Sequence, residues 1–230
     1  MTPVVSPTST PSAVLTREDT FPLRGRRVRC HSIAASIGHD GLVTRIVLFH
    51  SVYGLRPAVV AAAEFLRAAG HDVVTPDLYA GHVTRSIEEG FAFSHRIGWA
   101  TIMQRAREAI RDQPADTVLA GLSMGAGVAG ELLAERPGTQ GLMLLHGTGG
   151  DPRSVRGGLP VQLHVGQADA MFPPAVVAAW HDAMAAAGAA VELFVYPDVE
   201  HFFTDPDVPD YDQAAATLVW QRALSFLDAL

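Results

Sequence analysis

The sequence predicts an α/β fold: one main domain built on a mainly parallel sheet, with helices on both faces. Three observations lead there. Six short apolar runs alternate with helical segments from residue 45 to the end. The runs are continuously apolar rather than alternating, as strands buried on both faces must be. Finally, His50, Ser123, His146, Asp169 and His201 all fall at or just past the carboxyl ends of those runs, where open parallel sheets place their ligands.

The elements follow in order. RIVLFH at 45–50 is a buried strand, and 51–56 is the loop after it. Pro57 opens a helix to about residue 69 in the favoured first-turn position, and Gly70 caps it. Residues 72–75 form a strand stopped by Pro76. A longer connection, 78–96, has helical character around 86–93, and a helix follows over 97–112. Residues 117–120 read as a strand, and an Ala- and Leu-rich helix then runs to the Arg136-Pro137-Gly138 stop. Strands are expected at 141–145, 161–165 and 191–196, a helix at 174–187, and an amphipathic helix at 211–229 with Asp210 as N-cap.

Residues 1–43 differ in composition. Pro, Ser and Thr are enriched, an Arg cluster follows, and no periodicity is sustained. This reads as a poorly ordered, dispensable N-terminal extension, with the true start at Val43 and the folded domain spanning 44–230. The 230 residues carry a net charge of −7, which argues against a nucleic-acid partner. No apolar run approaches the length of a membrane span, and no secretory signal is expected at the N-terminus. Cys30 is the sole cysteine, so neither a disulfide framework nor a cysteine metal site is available. A cytoplasmic monomer or small homo-oligomer is the default.

The chemistry centres on Gly121-Leu122-Ser123-Met124-Gly125, a G-x-S-x-G between an apolar strand and a helix. That context is what a nucleophile elbow needs: a tight turn that lifts the serine hydroxyl above the sheet. A serine hydroxyl is a weak nucleophile and requires a base, which itself needs an orienting acid. Asp169 and His201 follow in the order acid then histidine, each on a loop at the same sheet edge. His50 and His146 also end strands but stand in the wrong order to be the base. The developing oxyanion needs preorganised donors. Met124 N–H follows the nucleophile, and Val52 N–H lies on the loop after the first strand, unless Val52 is simply an apolar plug. The acids at 205, 207, 210 and 212 lack the Gly and closing Glu of a calcium loop, and Pro206 and Pro209 interrupt them, so no metal is expected. No organic cofactor is needed either.

LFHSVYGLRP at 48–57, VVTPDLYAG at 73–81, GLSMGAG at 121–127, HVGQAD at 164–169 and YPDVEHFF at 196–203 together resemble the dienelactone hydrolase family of α/β-hydrolases. The resemblance spans about residues 44–230 in matching order. It implies an α/β-hydrolase fold acting on small lactones or carboxylic esters. The family's best-known members carry a cysteine nucleophile and a glutamate on the first loop; here those places hold Ser123 and Ser51. The two changes are chemically consistent, because a hydroxyl activated directly by His201 does not need a carboxylate to manage a thiolate. Tyr53, Phe202 and Phe203 would wall the pocket, or else pack as ordinary core. Arg56 and Arg85 are the nearest candidates for holding an anionic substrate, with a solvated arginine the plainer reading of each.

The expected function is therefore hydrolysis of a small ester or lactone through Ser123, His201 and Asp169 and an acyl-enzyme. The alternatives are an acyltransferase using the same three residues, or a non-catalytic small-ligand binder on the same fold.

Overall fold

The computed structural model describes residues 43–230, together with the backbone of two short segments before them. The chain divides into two units, Met1–Ser36 and Ile37–Leu230. Within the first, β1 (Pro22–Leu23) pairs antiparallel with β2 (Arg26–Arg27), a strand pair that the aperiodic composition did not suggest. The expectation of poor order over the remainder of 1–42 lies outside the described residues.

In the second unit, six strands form one parallel sheet: β3 (Arg45–Phe49), β4 (Asp72–Val74), β5 (Val118–Leu122), β6 (Leu142–Leu145), β7 (Pro160–Gly166) and β8 (Ala190–Tyr196). Their order across the sheet is β4-β3-β5-β6-β7-β8. The chain steps outward from β3 to β4, then returns past β3 to add β5 and the rest. The order therefore reverses between β3 and β5, and it is beyond the strand ends at such a reversal that open parallel sheets place their ligands. Phe49 pairs with Gly121, so the loops leaving β3 and β5 start side by side.

The helices are α1 (Pro57–Ala68), α2 (Ile87–Ile97), α3 (Trp99–Ile110), α4 (Met124–Glu131), α5 (Pro174–Ala186) and α6 (Gln213–Asp228). Ile46 and Leu48 on β3, with Val118 and Ala120 on β5, pack against Val59 and Leu66 of α1 and Val219 and Phe226 of α6. The alternate residues, Val47, Phe49 and Leu119, are equally buried on the opposite face. Burial on both faces accounts for the unbroken apolar runs in the sequence.

Two helix boundaries correct the sequence reading. The first of the two helical segments expected over 86–112 runs on to Ile97, past the 93 expected, and the second starts at Trp99, because Gly98 takes φ 79° and marks the break between them. The N-cap of the last helix is Asp212, whose side chain accepts the Ala215 N–H at 2.8 Å. Asp210 instead accepts the Phe202 N–H at 3.0 Å and so ties down the loop after β8.

Candidate active site

The turn from β5 to α4 is as tight as the glycine spacing suggests. Ser123 sits at φ 53°, ψ −109°, a left-handed conformation that costs about 1–3 kcal/mol in a non-glycine residue. Backbone bonds hold it there: its N–H reaches Leu145 O at 2.8 Å, and its carbonyl accepts the Ala126 N–H at 2.9 Å. The flanking glycines are needed for contact, not for torsion. A Cβ on Gly121 would collide with the Gly125 carbonyl, and one on Gly125 with the carbonyls of Phe49 and His50. The amino end of α4 thus lies directly against the end of β3.

The loops after β7 and β8 are joined by Gln167 N–H to Tyr196 O at 2.8 Å and Ala168 N–H to Val199 O at 3.0 Å. This brings Asp169 beside His201. Asp169 Oδ1 accepts the N–H groups of Met171 at 2.8 Å and Phe172 at 3.1 Å. Its Oδ2 lies 2.6 Å from His201 Nδ1, and His201 Nε2 lies 2.8 Å from Ser123 Oγ. An ionised carboxylate only accepts, so Nδ1 carries the ring proton and Nε2 presents its lone pair to the serine hydroxyl. All three residues are less than a tenth exposed. Phe172 stacks on the imidazole at 5.7 Å and 11°, and Phe202 meets it edge-on at 4.3 Å.

The remaining candidates divide. Val52 and Met124 lie at the two adjoining loop starts, and neither N–H donates to a protein acceptor among the described residues. Val52, Tyr53 and Phe202 form one apolar cluster, joined by Ile87, Met124 and Val208. Ser51 is buried, accepts the Tyr53 N–H at 3.3 Å, and borders a cavity of about 20 Å³ shared with His146 and Thr204. That volume is close to one water molecule.

Phe203 is a correction. Its ring is fully buried in the main core against Tyr196 and His146, and of the two neighbours it is Phe202 that meets the His201 imidazole. Arg56 is a second correction, for it is neither solvated nor open to a substrate. Its Nε donates to Asp205 Oδ2 at 3.0 Å, its Nη2 reaches the same oxygen, and both side chains are about nine-tenths buried. Arg85 is exposed. Among the described residues no group of three or more His, Cys, Asp or Glu side chains could hold a metal ion, and no helix is long and apolar enough to cross a membrane.

Comparison with known proteins places this geometry in context. The sequence pattern of the dienelactone hydrolase family matches residues 35–230, most of the chain. The chain belongs to the dienelactone hydrolase family. Membership makes it a hydrolase of the ester- and lactone-cleaving kind. No curated protein matches the chain. Among solved structures, a Klebsiella pneumoniae protein described as a dienelactone hydrolase superposes with a TM-score of 0.69 at 20% identity, over 84% of this chain and 90% of its own. A dienelactone hydrolase-like promiscuous phosphotriesterase from metagenomic libraries gives 0.68 at 20%, over 84% and 89%. Esterase PE8 gives 0.57 at 18%, over 82% and 93%. At these identities the likeness is one of fold.

Several residues of this dienelactone hydrolase-family site carry no mark in the sequence. Phe172 is positioned by the Asp169 turn, and nothing in its neighbours announces a ring stacked on histidine. Tyr79 lies in the quoted VVTPDLYAG segment, yet its contact is distant in sequence: its hydroxyl meets Met124 Sδ at 3.2 Å. Burial pushes that phenol up to about 12, so it stays protonated. His50 is structural. It donates from Nδ1 to Ser51 O at 2.7 Å and accepts the Leu78 N–H on Nε2 at 3.0 Å, and burial lowers its pKa. His146, held well below its ordinary value by burial, lies 2.6 Å from Thr204 Oγ1 and braces the loop that carries His201.

Proposed function

We propose that the protein is a serine hydrolase of small carboxylic esters or lactones, with Ser123 as nucleophile, His201 as base and Asp169 as orienting acid. The observation that carries this reading is the unbroken chain of short contacts, Ser123 Oγ to His201 Nε2 at 2.8 Å and His201 Nδ1 to Asp169 Oδ2 at 2.6 Å. It stands on a serine in the left-handed turn that opens α4.

The reaction runs in two halves. Ser123 Oγ bonds to the carbonyl carbon as its proton passes to His201 Nε2. The Asp169 carboxylate stabilises the imidazolium. The carbonyl oxygen becomes an oxyanion, for which the unengaged N–H groups of Met124 and Val52 are the candidate donors. The carbon–oxygen bond to the alcohol then breaks, and His201 Nε2–H protonates the leaving oxygen. In the second half, water gives its proton to the same nitrogen and attacks the acyl-enzyme. The acid departs, and the proton returns to Ser123. In a lactone the leaving oxygen stays tethered to the acyl chain, and the product is one hydroxy acid.

Turnover of a chromogenic short-chain ester by the wild type and by Ser123→Ala tests the reading. The wild type is expected to hydrolyse the ester, and the variant to fall by at least about 10³-fold while keeping its melting temperature. An unchanged rate in Ser123→Ala would overturn it. A fold that only bound small ligands would hydrolyse nothing in either form.

A further inference from the structure

The next step rests on the hydrolase reading and concerns which esters the site admits. Arg56 is held on the aromatic wall of the candidate site. Its guanidinium lies 4.2 Å above the Tyr53 ring. Tyr53 meets Phe202 edge-on at 5.0 Å, and Phe202 meets the His201 imidazole at 4.3 Å. Three consecutive ring contacts therefore join this cation to the base.

The charge is already answered from within. Asp205 follows His201 by four residues on the same loop and takes both Nε and Nη2 of Arg56 on one oxygen. Its other oxygen accepts the Asp207 N–H at 3.0 Å, so the carboxylate is fully engaged. A second carboxylate, Asp210, accepts the backbone N–H of Phe202 at 3.0 Å. Around Tyr53 the one guanidinium is outnumbered by the carboxylates of Asp205 and Asp210, so the charge behind this wall is negative overall. The side chains between the pair and the base are apolar, so this charge is only weakly screened.

We propose that Asp205 is a specificity-determining residue. By occupying Arg56 it withholds a counter-ion from the aromatic wall beside His201 and restricts the enzyme to esters whose acyl chain is uncharged. An acyl chain ending in a carboxylate meets aromatic rings and an excess of negative charge, and loses its hydration without compensation. A neutral chain of the same length loses nothing comparable and gains apolar contact.

The test compares p-nitrophenyl hexanoate with mono-p-nitrophenyl adipate, six-carbon acyl groups that differ by one carboxylate. Wild-type kcat/KM is expected to favour the neutral ester by at least about tenfold. Asp205→Asn leaves Arg56 unanswered and should move the ratio about tenfold toward the adipate ester, mainly through KM. Added salt should shrink that gain. Arg56→Gln strands the carboxylate and should move the ratio the other way. A merely structural ion pair would lower both esters together and leave the ratio alone in both variants; that result overturns the proposal, as does a wild-type preference for the adipate ester. If Asp205→Asn fails to fold, the wild-type ratio and Arg56→Gln decide. Hydrolysis of both esters that persists in Ser123→Ala refutes the nucleophile assignment and leaves the charge preference to be read from the same ratios.

Discussion

Replacing Asp169 with asparagine separates the orientation of the histidine from the stability of its loop. The carboxylate has two jobs: Oδ1 accepts the N–H groups of Met171 and Phe172, and Oδ2 lies 2.6 Å from His201 Nδ1. Asparagine keeps one carbonyl oxygen for the backbone donors but puts an NH₂ group opposite the imidazole. Nδ1 must then accept, the ring proton moves to Nε2, and Ser123 Oγ, 2.8 Å away, loses its acceptor. A wrong tautomer of this kind costs about 10⁴ in kcat in serine hydrolases, or about 5 kcal/mol of transition-state stabilisation. The expected result for Asp169→Asn is a kcat lower by about 10³–10⁴, a KM within a few-fold of wild type, and a melting temperature within a few degrees. Asp169→Ala should lose comparable activity and stability as well, because both turn bonds go with it. Steady-state kinetics alongside thermal unfolding measure all of this. An asparagine variant with kcat within tenfold of wild type, or one inactive only because it unfolds, would refute the reasoning.

Three further outcomes follow from the same structure. Gly125→Ala drives a Cβ into the carbonyls of Phe49 and His50. It should cost about 3 kcal/mol or more in chemical denaturation, as backbone overpacking does, whereas Gly157→Ala, where a Cβ meets open space, should cost little. Acid should destabilise the fold early. His164, fully buried between Tyr196 and Gln162, is depressed from 6.5 to about 3, burial being the main cause. Below pH 6.5 the unfolded chain takes up a proton that the native state refuses, so stability falls with falling pH. By pH 5 this residue alone accounts for about 2 kcal/mol, and a denaturant series from pH 7 to 5 on His164→Gln should show a shallower slope than wild type. Thr204→Val removes the 2.6 Å partner of buried His146 and should lower stability by about 1–3 kcal/mol in urea titration.

Much of the fold is legible because buried parallel strands announce themselves. Arg45–Phe49 and Leu142–Leu145 are bounded by polar or glycine residues and apolar within, and no other element fits runs so short. The Ser, Asp and His of the candidate site are legible for a related reason: each lies on the turn or loop that follows such a run, and parallel strands bring their carboxyl ends to one edge. Other features depend on contacts that no local pattern encodes. Arg56 and Asp205 are 149 residues apart, and their pairing follows from how the loops after β3 and β8 meet. Phe202 and Phe203 are chemically identical neighbours; the backbone alone sends one to the imidazole and the other to the core. Asp210 and Asp212 both suit a helix N-cap, and the choice between them rests on the Phe202 N–H that Asp210 accepts. The break between the helical segments around 86–93 and 97–112 is legible, but its place at Gly98 shows only in that residue's φ of 79°.

The account stands or falls on whether Ser123 becomes acylated. Mass spectrometry of the intact protein and its peptides, after treatment with a fluorophosphonate probe and after rapid quenching during ester turnover, measures this directly. The account predicts one probe adduct on the peptide carrying Ser123, ester turnover lost in proportion to labelling, and an acyl mass on that same peptide in the quenched sample. Full activity in a protein labelled at Ser123, or an acyl group found only on another residue, would contradict it.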